Sequence, residues 1–119
     1  MKKLSKLSDL NKTWLIDLDG VIFIHNYYLE HKKDKLVPGI KNIFKKIKKG
    51  DTVILLTATK NQYKKITIES LKKYNIRYDY IIFNLPKGER ILINDIKPRE
   101  NLKTAICINI KRDVIPKTK

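Results

Sequence analysis

Short, uninterrupted apolar segments are the feature that most limits what this chain can fold into. Five of them follow one another along the sequence: TWLIDLD, DTVILLTAT, YDYIIF, ILIND and TAICINI. A strand that is covered on both faces is apolar throughout, whereas a strand with one wet face alternates between apolar and polar residues. Helical patterns separate the first three segments. Strands that alternate with helices in this way predict a mainly parallel sheet.

Two segments carry the helix signals. In 37–50, Pro38 stands near the start, Gly50 marks the end, and apolar residues recur between them at helical spacing. Asn61 can cap a second helix, in which apolar residues recur every three or four positions as far as Tyr74. We therefore expect one Rossmann-like α/β domain over 1–119, with a mainly parallel sheet of about five strands, right-handed crossovers and helices on both faces.

Composition limits the class of protein. A chain of 119 residues, 42% hydrophobic and 33% charged, is typical of a soluble domain with a single core. The single cysteine, Cys107, excludes a disulfide within the chain. No segment is long and apolar enough to span a membrane, and no apolar stretch of a signal peptide follows the basic N-terminus. We expect a cytoplasmic protein that has no membrane partner.

The formal net charge of +15 raises the question of a nucleic-acid partner. Lysine supplies most of this charge, and arginine, which is favoured for contacts to phosphates and base edges, occurs only at 77, 90, 99 and 112. The lysines are also spread over several helical faces. This distribution favours a compositional bias over a nucleic-acid-binding surface, so nucleic acid is the less favoured partner.

The predicted sheet brings polar residues together at one edge. In open α/β sheets, ligands bind beyond the carboxyl ends of the strands. The residues at or near these ends are Asp17, Asp19, Thr57, Ala58, Lys87, Asn94 and Asp95. Two buried carboxylates side by side cost free energy unless a positive charge offsets them. Oxygen ligands of this kind suit Mg²⁺, and a lysine and a hydroxyl beside it suit a phosphate group.

These segments resemble the four motifs of the haloacid dehalogenase (HAD) superfamily of phosphotransferases. The sequence DLDGV at 17–21 matches the first motif, DxDG[VT], and VILLTAT matches an apolar strand that ends in Thr or Ser. Lys87 corresponds to the lysine ahead of the fourth strand, and ILIND to the acidic end of that strand. The resemblance extends from Trp14 to Ile110 and implies a phosphatase.

The resemblance implies catalytic and substrate-binding roles. Asp17 would be the nucleophile that forms an aspartyl-phosphate, and Asp19 the general acid and then the general base. Thr57 and the backbone N–H of Ala58 would bind the oxygens of the transferring phosphoryl group. Lys87 would neutralise the charge of that group and of Asp17.

The resemblance also implies a Mg²⁺ site. The Asp17 carboxylate, the backbone carbonyl of Asp19 and Asp95 would hold the ion, with Asn94 as a secondary ligand. Gly20, which is counted among the substrate-binding residues, would let the chain leave the strand in a tight turn close to the substrate.

The sequence departs from the family pattern at two places. Asn94 stands where the family more often has an acidic residue, which bears on the affinity for the metal. Lys87 lies in PKG, where the family often has lysine followed by proline, so Lys60 and Lys97 are alternatives for the third motif. His25, in the polar stretch after the first motif, is interpreted as a solvated loop residue.

The gaps between motifs are too short for a further domain. We expect a capless enzyme with a short β-hairpin flap after the first strand, between Gly20 and Leu36. The expected function is Mg²⁺-dependent hydrolysis of a phosphomonoester, foremost a small phosphorylated metabolite such as a sugar phosphate. The alternatives are a phosphatase of nucleic-acid ends and a catalytically silent HAD-fold binding module. An open site is also compatible with a homo-oligomer.

Overall fold

The computed structural model describes residues 2–99 and 101–117, and its regular elements are short. In chain order they are β1 (Thr13–Asp17), α1 (Tyr27–His31), α2 (Ile40–Phe44), β2 (Thr52–Leu56), α3 (Lys64–Lys73), β3 (Tyr80–Ile82), β4 (Ile96–Lys97) and β5 (Leu102–Lys103). Single 3-10 turns cover Lys2–Leu4 and Asn61–Tyr63. No helix in the described residues is long and apolar enough to cross a membrane.

A three-stranded parallel sheet in the order β1-β2-β3 forms the centre of the fold. The register pairs Thr13 with Thr52 at one end of β1 and Asp17 with Leu56 at the other, and Ile54 pairs with Tyr80 across the second seam. The helices α2 and α3 lie in the two crossover connections. The predicted α/β class with a parallel sheet is therefore confirmed for these three strands.

The predicted fourth and fifth strands do not join this sheet. Residues 91–95 and 104–110 are not strands, and the chain between them forms a separate antiparallel pair, β4 with β5. The side chains of Ile91 and Ile93 are 83% and 90% exposed. The expectation of about five strands in one sheet is wrong for the structure of a single chain.

The connection after β3 explains this difference. The amide of Leu85 donates to the Thr57 carbonyl (3.0 Å), and Arg90 contacts Asp17 (3.1 Å), so both ends of this connection lie at the carboxyl edge of the sheet. A further parallel strand must start from the opposite edge, which usually requires a crossover of a dozen or more residues. Residues 83–90 are too few for such a crossover.

The core lies on one face of the sheet, which corrects the expectation of helices on both faces. Ile16, Val53 and Leu55 share that face and are buried with side chains of α2 and α3. Side chains on the opposite face are more exposed: Tyr80 is 64% and Leu15 48% exposed, and Ile54 and Leu56 of the central strand are half-buried. Helical packing therefore covers one side of the three-stranded sheet among the described residues.

The expected β-hairpin flap has a helical tip. The chain leaves and returns in antiparallel fashion, since the Ile24 amide donates to the Lys35 carbonyl and Val37 to Ile22, both at 2.9 Å. The β-pairing of this segment within the described part of the chain is limited to two isolated bridges, Phe23 with Leu36 and Phe23 with Asp19. The helix α1 occupies the tip in place of a strand turn.

Asp51 organises the amino edge of the sheet. This buried carboxylate accepts hydrogen bonds from the amides of Lys12 and Lys48 (both 2.9 Å) and from the Trp14 indole (3.0 Å). Arg77 donates to the backbone carbonyls of Lys48 and Asp51. The hydrogen bond from Lys48, together with those from Lys12 and Trp14, lowers the pKa of Asp51 to about 2.

Replacing Asp51 should weaken the fold in a pH-dependent way. Asp51→Ala leaves two amides and an indole without their acceptor, which costs about 2–3 kcal/mol in the free energy of unfolding. The lowered pKa means that this contribution is complete above pH 3.8 and is lost as the pH falls towards about 2. Urea unfolding at several pH values measures it, with the exposed Asp9→Ala as control. A pH-independent difference across this range would contradict the assignment.

Candidate active site

Two aspartates mark the point where the chain leaves β1. Asp17 is the last residue of the strand, and Leu18 continues the pairing with a hydrogen bond from its amide to the Leu56 carbonyl (3.1 Å). Gly20 then adopts a φ of +87°, which favours glycine, and its amide donates to Phe23 (2.7 Å). The turn places both carboxylates at the exit of the strand, where their side chains are 37% and 22% exposed.

Each carboxylate has a basic partner in the structure. Arg90 Nη1 lies 3.1 Å from Asp17 Oδ1, and His25 Nδ1 lies 2.8 Å from Asp19 Oδ2. The amide of Asn26 donates to the other oxygen of Asp19 (2.9 Å). Side chains of the chain itself thus partly offset the charges for which the sequence predicts a cation. His25, interpreted from the sequence as solvated, is one of them.

Asp19 has the raised pKa expected of a proton donor. Burial raises its pKa above the ordinary value of 3.8, and the charges of Asp17 and Asp113 act in the same direction. The Asn26 amide and His25 oppose this shift without cancelling it. A carboxyl group with a raised pKa is suited to hold a proton and deliver it to a leaving group.

Thr57 lies immediately after β2, at the same edge as the aspartates. It is completely buried, and its hydroxyl donates to Thr59 Oγ1 (2.9 Å) and accepts from the Thr59 amide (3.0 Å). Tyr28 from the flap packs edge-on against the Tyr63 ring at 5.0 Å. This contact fastens the flap to the 3-10 turn that follows β2.

Asp34 is a buried acid at the base of the flap. It is 3% exposed, and its Oδ2 has no hydrogen-bond partner among the described residues. The backbone amide donates to Ser70 Oγ (3.1 Å), which holds this residue against α3. Burial, together with the charge of Asp19, raises the pKa of Asp34 to about 6.

The structure does not bring the residues expected at the fourth motif to this edge. Asn94 and Asp95 lie beside Thr104, where the Asn94 amide nitrogen donates to the threonine hydroxyl (2.9 Å) and that hydroxyl donates to the Asp95 carbonyl. Within the described ranges, no three His, Cys, Asp or Glu residues form a group that could hold a metal ion. In the structure of a single chain, Asp95 therefore does not lie beside the carboxylates of Asp17 and Asp19.

Contacts within the described part of the chain do not decide which of three lysines corresponds to the third motif. Lys87 and Lys60 are exposed in loops, and Lys97 belongs to β4. None of the three forms an ion pair with a described residue. Ala58, which should supply a backbone N–H, follows Thr57 directly and is half-buried.

Three residues that reach the site have little signal in the sequence. Arg90, next to the apolar ILIND segment, enters the sequence analysis only through the overall charge. Asp113 accepts from the His25 amide (2.8 Å), and its own amide donates to Gly20 (2.8 Å), across more than 80 residues of sequence. Asp34 stands among lysines in the flap. No local spacing relates these residues to the first motif.

Comparisons with known proteins support the fold. No family model matches the sequence, and no curated protein matches it. One similar chain belongs to the solved structure of the Pnkp1/Rnl/Hen1 complex, with 28% identity and a TM-score of 0.54. The likeness covers 71% of this chain and 32% of that chain, so this chain spans about a third of the protein it resembles.

Neutralising Asp34 should stabilise the protein above a pH of about 6. Because the folded state raises this pKa from 3.8, the folded chain binds more protons than the unfolded chain, and stability falls as the pH rises between these two values. Asp34→Asn should raise the free energy of unfolding by on the order of 1–2 kcal/mol above this range and have little effect below it. Urea titrations test this against the exposed Glu69→Gln. A stabilisation that does not depend on pH would contradict it.

Proposed function

We propose that this chain is an HAD-type phosphatase that hydrolyses phosphomonoesters through an aspartyl-phosphate on Asp17. The observation that carries the proposal is the pair of carboxylates at the exit of β1, which lie in different environments. Asp17 contacts a cationic side chain, Arg90, whereas burial raises the pKa of Asp19. Two neighbouring carboxyl groups with such different surroundings suit a nucleophile and an acid.

The proposed reaction has two displacement steps. In the first, a carboxylate oxygen of Asp17 attacks phosphorus and the bond to the leaving oxygen breaks, while the Asp19 carboxyl gives that oxygen its proton. In the second, the Asp19 carboxylate takes a proton from water, whose oxygen attacks phosphorus and releases phosphate from Asp17. His25 and the Asn26 amide orient Asp19 throughout, since they hold both of its oxygens.

Binding of the phosphoryl group is assigned to residues around this pair. Thr57 and the Ala58 amide follow β2 at the same edge of the sheet, and Lys87 would supply positive charge from the loop after β3. Gly20 would contribute through its positive φ, which lets the chain turn sharply beside the phosphoryl group. Arg90 already contacts Asp17 and is well placed to neutralise a phosphoryl oxygen as that oxygen approaches.

The local charge at this edge fits a divalent cation. Although the whole chain carries +15, burial together with the charges of Asp17 and Asp113 raises the pKa of Asp19, and burial together with the charge of Asp19 raises that of Asp34. Mg²⁺ is commonly held by one or two carboxylates with waters and phosphate oxygens. The Asp17 carboxylate and the Asp19 backbone carbonyl are the proposed ligands. The ion would neutralise the phosphate and align it with Asp17.

For the substrate, the first candidate is a small phosphorylated metabolite such as a sugar phosphate, which an uncapped site can admit. A second candidate, a phosphorylated nucleic-acid end, is favoured by a cavity of about 130 Å³ between the end of the flap and α3. Lys32, Lys33 and Lys73 line this cavity, and Ser70 in its wall binds the backbone of Asp34. Lysines grouped in this way can follow a phosphate backbone.

Asp17→Asn should abolish turnover of an aryl phosphate. Without the carboxylate no phosphoenzyme can form, so the expected loss in kcat exceeds about a thousandfold. Chelation of divalent cations should cause a comparable loss that added Mg²⁺ restores. Thermal unfolding checks that the variant is folded, and the exposed Asp9→Asn serves as control. Undiminished activity of the variant would exclude Asp17 as the nucleophile.

The salt dependence of binding separates the two substrate candidates. If the substrate is a nucleic-acid end, the affinity for a 5′-phosphorylated oligonucleotide should fall steeply with salt concentration. A plot of log affinity against log salt concentration should have a slope of about −0.7 for each phosphate contacted on a single strand. Lys33→Glu should then reduce the magnitude of this slope by about 0.7, the contribution of one contact, whereas Lys49→Glu, in the turn before β2, should leave it unchanged. A shallow slope that neither substitution alters would favour the small metabolite.

A further inference from the structure

The outer edge of β1 has unpaired backbone groups. The Lys12 carbonyl and the Leu18 amide both form hydrogen bonds with β2. The backbone N–H and C=O groups of the even-numbered residues of β1 therefore point towards β2. The N–H and C=O groups of Thr13, Leu15 and Asp17 therefore point to the other side. No hydrogen bond reaches them from the residues that the structure describes. A strand edge of this kind is a template for another strand.

The same chain has an apolar, strand-like segment that does not pair with the three-stranded parallel sheet. Residues 91–99 and 101–109, which together we call the ribbon, form two antiparallel legs joined by the pairing of β4 with β5 and by the contact of Asn94 with Thr104. The first leg, 91–95, reads ILIND and exposes most of Ile91 and Ile93. Large apolar side chains so exposed are unusual unless they form an interface.

Neither surface has the usual protection against pairing. Natural edge strands are shielded by lysine, proline or bulges. The five residues of β1 and the five of the first leg contain no lysine and no proline, in a chain where lysine and arginine number 27. The open face of the sheet continues the apolar surface through Leu15, Tyr80 and Ile82.

We propose that two copies of this chain exchange their ribbons, with the first leg of each copy adding in parallel to the β1 edge of the other. Each copy contributes the same two surfaces, so two exchanges close a symmetric dimer. A standard interface involves about 20–30 residues a side, and the ribbon with the edge and open face of the sheet forms a patch of that size.

The connection to the ribbon favours the second copy over the chain's own edge. Its two ends are held at the carboxyl edge of the sheet by Leu85 and Arg90, so the first leg cannot enter its own sheet in the parallel direction. The shape of the single chain agrees with an extended arm. Its radius of gyration is 15.0 Å and its longest extent 50 Å, against a radius of about 13.5 Å for a compact chain of this length.

The exchange would also complete the site. β1 and the first leg have five residues each and both end in aspartate, so parallel pairing from end to end places Asp95 of one copy beside Asp17 of the other. This consequence rests on the proposed function, because it supplies the third carboxylate of the proposed Mg²⁺ site. The exchange itself does not depend on any activity.

Light scattering during gel filtration tests the assembly of the full chain. The expected mass is twice the 14.0 kDa of one chain. Ile93→Asp should halve it, because Ile93, which is 90% exposed in a single copy, would pack beside Leu15 of the other copy, and an aspartate there would place a charge against Leu15 and near Asp17. Leu29→Asp, in α1, is the matched control and should remain dimeric. Because each copy carries +15, added salt should strengthen the dimer.

Disulfide trapping distinguishes exchange from pairing within one chain. In the proposed register Leu15 lies opposite Ile93, so Leu15→Cys chains co-expressed with Ile93→Cys chains, both in a Cys107→Ser background, should form a covalent dimer of two different chains. A monomer at every soluble concentration, or a link that forms only when both cysteines are on one chain, would overturn the proposal. Both measurements are made without substrate, so their outcome is independent of whether Asp17 is a nucleophile.

Discussion

The parallel pairing of β1 with β2 is the constraint on which the rest of the structure depends. Its register ends with Asp17 opposite Leu56, so Thr57 and the Asp17–Asp19 turn emerge together at one edge. At the opposite edge, Asp51 holds the start of β1 through Lys12 and Trp14. A slip of one residue would turn Ile16 and Leu55 away from the core and also move the two aspartates. Folding and placement of the site are thus decided by the same hydrogen bonds.

The candidate site is an acidic region in a strongly basic protein. Carboxylates close to one another are tolerated there because Arg90 and His25 each contact one of them. This arrangement leaves Asp19 with a raised pKa and Asp34 buried, with one oxygen that has no hydrogen-bond partner in the described part of the chain. Such unfavourable burial is characteristic of functional sites, where binding of a ligand can relieve it. The overall charge therefore says little about the chemistry at this edge.

Much of the architecture could be predicted from local pattern. The apolar runs around Ile16 and Val53 and the helical spacing before Gly50 identified β1, β2 and the crossover that makes them parallel. From this topology the position of Asp17, Asp19 and Thr57 at one edge followed. These inferences succeeded because the spacing of apolar residues along a short stretch of sequence indicates which segments are strands or helices and which residues are buried.

The same reasoning failed where pairing depends on how the chain travels between elements. The run at 91–95 is as apolar as β1, and its composition contains no information on whether residues 83–90 can carry it to the far edge of the sheet. The approach of Arg90 to Asp17 and of Asp113 to the flap likewise depends on tertiary packing, since neither has a spacing signal in the sequence. Contacts between single polar residues that are far apart in the sequence cannot be predicted from the spacing of apolar residues.

The contacts of Asp113 have a consequence for the order in which the site is assembled. This residue holds the Gly20 turn and the backbone of His25, yet it is separated from them by almost all the residues that build the sheet. Because a chain emerges from the ribosome with its N-terminal part first, β1 and β2 can pair while the turn beside them still lacks its brace. The reactive edge would then be finished last, after the scaffold that carries it has formed.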